Sequence, residues 1–283
     1  MSSKIELIRK KILAGVENTP SFSPAVQRIV ELANDLTATP RELNQIIKTD
    51  PVLTGKILKL VNSSYFSIPN KVPSITRSLV LLGFNTIKNI AISTEFLQLT
   101  EGAPQNGHFD YNAIWEHMVS IGVTARMIAK ETKQPRENIE EYFISGLIHN
   151  IGDVLIIRHA QEEYYKVHEI AREKGLSVNA CSKQVLGFNA PEIGLKLADH
   201  WKLQSQVKNS IYNVSNEKST HLDIAVKVAD KYARNKQIGY VKDLSDCDIL
   251  DSECNDLSLN PDFFTLSNDK IFDEIEKAKI FVN

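Results

Sequence analysis

Asp50-Pro51-Val52-Leu53-Thr54-Gly55-Lys56-Ile57-Leu58-Lys59-Leu60-Val61-Asn62-Ser63-Ser64-Tyr65 is the stretch from which the fold can be read outward. Asp50 offers a side-chain acceptor and Pro51 a fixed φ, and the amide that proline forfeits has no intrahelical partner at a helix start. Leu53, Ile57, Leu58 and Val61 then recur at helical spacing and predict one buried stripe. The same period runs through nearly the whole chain, and no alternating strand pattern competes with it, so the expected fold class is all-α. Upstream, Ser2 or Ser3 starts a helix that runs to about Ala14, where Gly15 stops it. Pro24 opens a helix reaching Asn34, and Thr39-Pro40-Arg41-Glu42 opens another through Lys48. Downstream, Ser74 caps a helix that Gly83 ends, and Asn85 caps the next, through about Gln98.

Residues 100–107 hold two glycines and a proline and mark the best internal boundary. Beyond it Asp110 caps a long helix to about Glu131, with Ile114, Met118, Ile121, Ala125 and Ile128 on its stripe. Shorter helices follow near 137–149, 151–158, 162–174, 178–186, 191–200, 204–213 and 220–236. Residues 243–267 read as irregular, and Asn268 starts a last amphipathic helix with Ile271, Ile275 and Phe281 on its apolar face. No fixed-period repeat is present, which argues against a solenoid.

The 283 residues suffice for one large or two modest cores. No apolar run approaches the roughly 20 residues of a membrane span, and residues 1–11 are charged, so the expected location is the cytoplasm. Cys181, Cys247 and Cys254 are three in number and form no CxxC pair, which excludes a disulfide framework and a zinc knuckle. Cys181 reads as a small buried hydrophobe among Val178, Val185 and Leu186. The net charge of −2 hides an asymmetry: from residue 241 onward eleven acids face four bases. A mildly basic body with an acidic tail is not the footprint of a nucleic-acid binder.

Asp50-Pro51-Val52-Leu53, then Lys59-Leu60-Val61-Asn62-Ser63-Ser64-Tyr65, then Ile75 through Leu82-Gly83 and Ile87-Lys88-Asn89, together resemble the HDOD domain of bacterial signalling proteins. The resemblance covers roughly residues 20–230. It implies a two-lobed helical fold: an N-terminal lobe (1–105), a degenerate lobe similar to HD phosphohydrolases (106–240) and an acidic C-terminal extension with a terminal helix (241–283). It also implies a non-catalytic regulatory role through binding a signalling protein, with a small ligand as an option. No membrane or nucleic-acid partner is expected, and self-association is left open.

The same resemblance locates a vestigial site. Gly146-Leu147-Ile148-His149-Asn150-Ile151-Gly152-Asp153 is similar to the His-Asp signature of HD enzymes with the acid replaced by Asn150. His117 and His149 match two imidazole ligands and Asp230 the closing carboxylate. Ala190, Asn213 and Val214 stand where further imidazoles are expected. Asp153 takes a position where related enzymes often carry a phosphate-binding lysine, and an anion there repels phosphate. No metal or other cofactor is expected. The alternative is a metal-dependent phosphohydrolase or phosphodiesterase in which His117, His149 and Asp230 hold Fe, Mn or Zn as a two-His, one-carboxylate set.

Plainer readings exist for each residue. Asp230 lies four before Arg234, and His149 four before Asp153, spacings at which helical partners meet. His159, His168, His200 and His221 show no joint ligand spacing. Residues 39–62 read as helix, turn, helix, but the second helix is dominated by apolar residues and looks packed rather than DNA-reading. No phosphate-binding glycine loop, serine-nucleophile elbow or Cys/His nucleophile pair is present. The segment Tyr65-Phe66-Ser67-Ile68-Pro69-Asn70 is expected to cover the core, with a partner-contact patch as the other use.

Overall fold

The computed structural model describes residues 2–19, 22–33, 35, 37–98, 108–203, 205–212, 219–240 and 247–281. Every regular element among them is helical. In chain order these are α1 (Ser2–Asn18), α2 (Pro24–Ala33), α3 (Pro40–Lys48), α4 (Pro51–Val61), α5 (Ile75–Gln98), α6 (Tyr111–Glu131), α7 (Ile139–Ile148) and α8 (Ile151–Lys174). They continue as α9 (Val178–Leu186), α10 (Ala190–His200), α11 (Ser205–Tyr212), α12 (His221–Asn235), α13 (Asp251–Asp256), α14 (Phe263–Leu266) and α15 (Asn268–Ala278).

Capping chemistry places the starts. Thr39 and Glu42 form a reciprocal capping box on α3, and Asp50 accepts from the Leu53 amide at 2.9 Å on α4. Asp110 caps α6 through the Asn112 and Ala113 amides. On α4 the buried stripe is Leu53, Ile57, Leu60 and Val61, and Leu58 is half-buried. Asn62 closes the following loop on itself: its amide donates to Val72 O (3.0 Å), and Val72 N donates back to its Oδ1 (2.7 Å). Within that loop Tyr65 is buried against Phe143 of α7, ring centroids 5.4 Å apart, so the segment covers the core.

Several boundaries differ from the sequence reading, each for a packing reason. α1 continues through Gly15, because a Cβ there would meet the His159 ring of α8 at 2.4 Å; the glycine allows close contact rather than ending the helix. Gly83, at φ 83 and ψ 171, breaks the helical path inside α5, where the sequence reading ended one helix and began the next. Asn85 is no cap: its amide donates to Glu137 O at 3.1 Å. The helices expected at 151–158 and 162–174 meet across a non-helical kink at Ala160 (φ −148, ψ 45) within α8. The tail carries α13 and α14 where irregular chain was expected, and it is anchored by Lys231 of α12, whose ammonium reaches Glu253 and Asp248 O.

α2, α3 and α4 pack around α5, which in turn packs on α7. α6, α7 and α12 form the central layer, and α8 and α10 pack beside each other. α1, counted with the N-terminal lobe by sequence order, packs on α8, α9 and α10. α15 lies on α6 and buries Ile271, Ile275 and Ala278. Phe22 stacks on Trp201 at 4.7 Å, and Phe96 meets the same indole edge-on, joining α5 to the α10 end. Residues 100–107, the expected internal boundary, lie outside the described residues. Cys181 is buried, as its apolar neighbours require. No helix among the described residues is long and apolar enough to cross a membrane.

Candidate functional site

The central layer brings His117, His149 and Asp230 together. His117 projects from the middle of α6, His149 follows the last residue of α7, and Asp230 stands on α12. The backbones of α6 and α7 can approach this closely because glycines face each other: a Cβ on Gly146 would lie 2.7 Å from the Gly122 Cα. His117 Nε2 is 3.4 Å from Asp230 Oδ1 and His149 Nε2 is 3.7 Å from the same oxygen. These are long for hydrogen bonds, and both Nε2 atoms are buried without a hydrogen-bond partner.

The other ring nitrogens are engaged. His117 Nδ1 lies 3.1 Å from Ile238 O and His149 Nδ1 lies 2.7 Å from Gly146 O. A carbonyl oxygen only accepts, so both contacts require a proton on Nδ1, which turns each Nε2 toward the carboxylate. Residues 238–240 strap this face: Tyr240 N donates to Ala113 O at 2.7 Å. Gly239 sits at φ +64, where a Cβ would be 2.3 Å from Ala113 O and 2.6 Å from His117 N, so only glycine fits the strap.

Asp230 is the most perturbed group here. Burial would raise its pKa, but the His117 and His149 imidazoles and the Arg234 guanidinium reverse this and hold it well below the usual carboxylate range. Arg234 Nε donates to Asp230 Oδ2 at 2.9 Å, so the helical pair expected from spacing forms alongside the histidine contacts. The two readings of Asp230 describe the two oxygens of one carboxylate.

Asn150 lies at the junction of α7 and α8, half-buried, and makes no side-chain cap bond. Asp153 does not pair with His149: it accepts from the Tyr164 hydroxyl and is 2% exposed. A break at 149–150 separates α7 from α8, so these residues do not share the continuous helix that the spacing assumed. Ala190 is buried where its carbonyl meets α8: a Cβ on Gly152 would lie 1.9 Å from Ala190 O. Asn213 and Val214 lie outside the described residues.

As arranged, no group of three or more His, Cys, Asp or Glu side chains among the described residues is suited to hold a metal ion. The physical reason lies in charge. The carboxylate is already neutralised by Arg234, Asn150 brings none, and the two imidazoles alone supply no anion. Access is also restricted: the side chains of His117 and His149 are 2% and 3% exposed, and that of Asp230 13%. A hydrolytic metal needs an open position for water or substrate.

Sequence reading missed two companions of this cluster. The Ile238-Gly239-Tyr240 strap carried a signal only in Gly239, and the Tyr240 hydroxyl sits 3.0 Å from His168 Nε2. His221 contacts the Tyr142 hydroxyl and Leu257 O, so it belongs to the α7–α12–tail packing.

The geometry can now be set beside known proteins. The HDOD domain model matches residues 19–217. The chain belongs to the HDOD domain family. This HDOD chain is 26% identical over 199 residues to an uncharacterized protein of Treponema pallidum (strain Nichols), covering 69% of the chain and 37% of that protein. It is 26% identical over 152 residues to the uncharacterized protein YuxH of Bacillus subtilis (strain 168), covering 54% of the chain and 35% of YuxH. The chain thus spans little more than a third of the length of the curated relatives it matches. Among solved structures it resembles an HDOD domain protein of unknown function from Geobacter sulfurreducens, with TM-score 0.75, 19% identity and coverage of 99% and 98% of the two chains. It also resembles a candidate signal transduction protein from Marinobacter aquaeolei VT8, with TM-score 0.72, 15% identity and coverage of 99% and 66%. A candidate phosphohydrolase from Shewanella amazonensis SB2B matches with TM-score 0.69, 22% identity and coverage of 96% and 98%. At these identities the shared property is the fold, and the HDOD-type all-helical architecture is that fold.

Proposed function

We propose that this HDOD protein is a non-catalytic regulator in a bacterial signalling pathway, acting in the cytoplasm by binding another protein. The observation that carries this reading is the closure of the His117–His149–Asp230 cluster. Its carboxylate is claimed by Arg234, both imidazoles are buried, with His117 held against Ile238 O, and Asn150 replaces the acid a hydrolytic centre would use. Asp153 is committed to Tyr164 and offers nothing to a phosphate. The partner surface is sought on the N-terminal lobe, where Val52 and Val80 are 67% and 71% exposed. Nucleic acid and membrane are not part of the reading.

A second reading, a metal-dependent phosphohydrolase or phosphodiesterase, is favoured by one observation: two unpartnered imidazole nitrogens converge on one carboxylate. Hydrolysis of bis(p-nitrophenyl) phosphate by purified protein supplied with Fe²⁺, Mn²⁺ or Zn²⁺ separates the two. The regulator shows no turnover under any of these ions, and His149→Ala leaves its biological role intact. Turnover that His149→Ala abolishes replaces the regulatory reading with the hydrolytic one.

A further inference from the structure

We propose that the chain self-associates, with the exposed basic face of α4 and α5 in one copy docking on the exposed acidic face of α14 and α15 in another. The inference takes the N-terminal surface named in the regulatory reading and assigns it an occupant. A monomeric chain that still binds a signalling protein strikes the assignment and leaves that reading intact.

Among the described residues seven large apolar side chains are exposed, and six of them fall in two regions of opposite charge. Val52, Val80 and Leu81 belong to the first. On α4, Val52, Gly55, Lys56 and Lys59 recur at helical spacing on the side turned away from the buried Leu53, Ile57 and Leu60. A Cβ added at Gly55 would meet nothing within 4 Å, so this side is open. On α5, which packs against α4, Arg77, Val80 and Leu81 form a second exposed stripe. From residue 51 to residue 94 the sequence has five bases and no acid to offset them. Lys59, Lys71 and Arg77 are exposed.

Leu250, Leu266 and Phe272 belong to the second region, where Leu266 is 77% exposed. Residues 247–281 carry nine acids against three bases, and Lys277 and Lys279 are already drawn into ion pairs. α15 buries Ile271, Ile275 and Ala278 on one side and shows Asp269, Phe272, Asp273 and Glu276 on the other. Asp262 and Asp269, both exposed, flank Leu266 in the chain. A cleft of about 480 Å³ is lined here by Tyr232, Ile249, Phe264 and Leu266, together with Asp269 and Lys236. That is room for aliphatic side chains such as Val80 and Leu81.

Each region presents what the other lacks. Two basic faces repel, as do two acidic ones, so charge selects the mixed pairing and fixes which surfaces meet. The apolar side chains set among the charges then leave water together. An exposed apolar patch that fits a pocket at another place on the same molecule is a recurrent route to contact between copies.

The test is sedimentation velocity of the full chain, from micromolar to sub-millimolar concentration, at low and at high salt. The native chain is expected to associate, and less tightly at high salt. Val80→Glu/Leu81→Glu, Lys56→Glu/Lys59→Glu and Asp262→Lys/Asp269→Lys should each weaken association by at least about 100-fold. An equimolar mixture of the lysine-reversed and aspartate-reversed proteins should associate again, because each carries the sign that the other has lost. Circular dichroism follows the fold. A native chain that stays monomeric throughout leaves the basic face to a different, acidic protein and overturns the proposal. Association that the charge reversals do not touch overturns it as well, and so does a mixture that stays monomeric while both variants keep native helical content. Should a reversal unfold the chain, Lys56→Gln/Lys59→Gln takes its place: weakened association supports the proposal, and unchanged association overturns it.

Discussion

Among the described residues, two arginine–carboxylate pairs are largely shielded from solvent, and they solve the same electrostatic problem differently. Arg126 of α6 donates to Glu140 of α7 at 2.8 Å, and its guanidinium lies 4.4 Å over the Tyr65 ring and 5.8 Å from the centre of Phe66. That cation meets both an acceptor and aromatic rings, and the pair fastens the 62–72 loop to the central layer. Arg234 and Asp230 are as well sheltered, but the carboxylate's second oxygen is shared by two imidazole nitrogens without hydrogen bonds. The first pair is a completed fastening. The second divides one carboxylate between a guanidinium and two imidazoles.

The comparison is most easily broken at Arg126. Truncation by Arg126→Ala leaves Glu140, itself 7% exposed, without its cation. It should destabilise the fold by about 3–5 kcal/mol, measured by urea unfolding at neutral pH. A loss near that of an exposed pair would mean that the aromatic enclosure contributes nothing.

The second pair should reveal itself through acid. The folded-state pKa of Asp230 is held down by its histidines and Arg234 against the opposing effect of burial. A depressed carboxylate contributes stability that is complete above its unfolded value near 4 and is lost as pH falls through that value toward the folded pKa. Asp230→Asn should therefore flatten the fall in unfolding free energy below about pH 4. An unchanged slope there would show that the carboxylate is not coupled to its neighbours.

The smallest effect belongs to an exposed control. Lys279 reaches Glu116 at 3.1 Å and Glu276 at 2.6 Å, with its side chain 36% exposed. Lys279→Ala should shift stability by no more than about 0–1 kcal/mol in the same urea series, and less at high salt.

The two pairs were unequally visible in the sequence. Asp230 and Arg234 occupy one uninterrupted helix, so their four-residue spacing predicted contact. Arg126 and Glu140 are on different helices, and nothing local announces them. The same rule misled at His149 and Asp153, because the chain leaves one helix and starts another between them. Cap residues such as Thr39, Asp50 and Asp110 made helix starts legible, since their effect is confined to one turn. Gly15 looked like a stop signal and is instead a point of close approach to His159, a tertiary fact that propensity does not encode. For the candidate site, the family resemblance named His117, His149 and Asp230, and the structure places them side by side. The strap over His117, built by Gly239 and its neighbours, depends on the path of the chain after α12 and had no periodic signature.

The glycine contact between α6 and α7 has a mechanical consequence. With Gly122 and Gly146 meeting backbone to backbone, these two helices have no side-chain cushion across which to slide. They form a single chassis that carries both imidazoles in fixed relation. Asp230 rides on α12, a separate strut. Any rearrangement reaching the cluster must then register as travel of the strut against the chassis, so the two histidine-to-carboxylate distances act as a built-in gauge of α12 position.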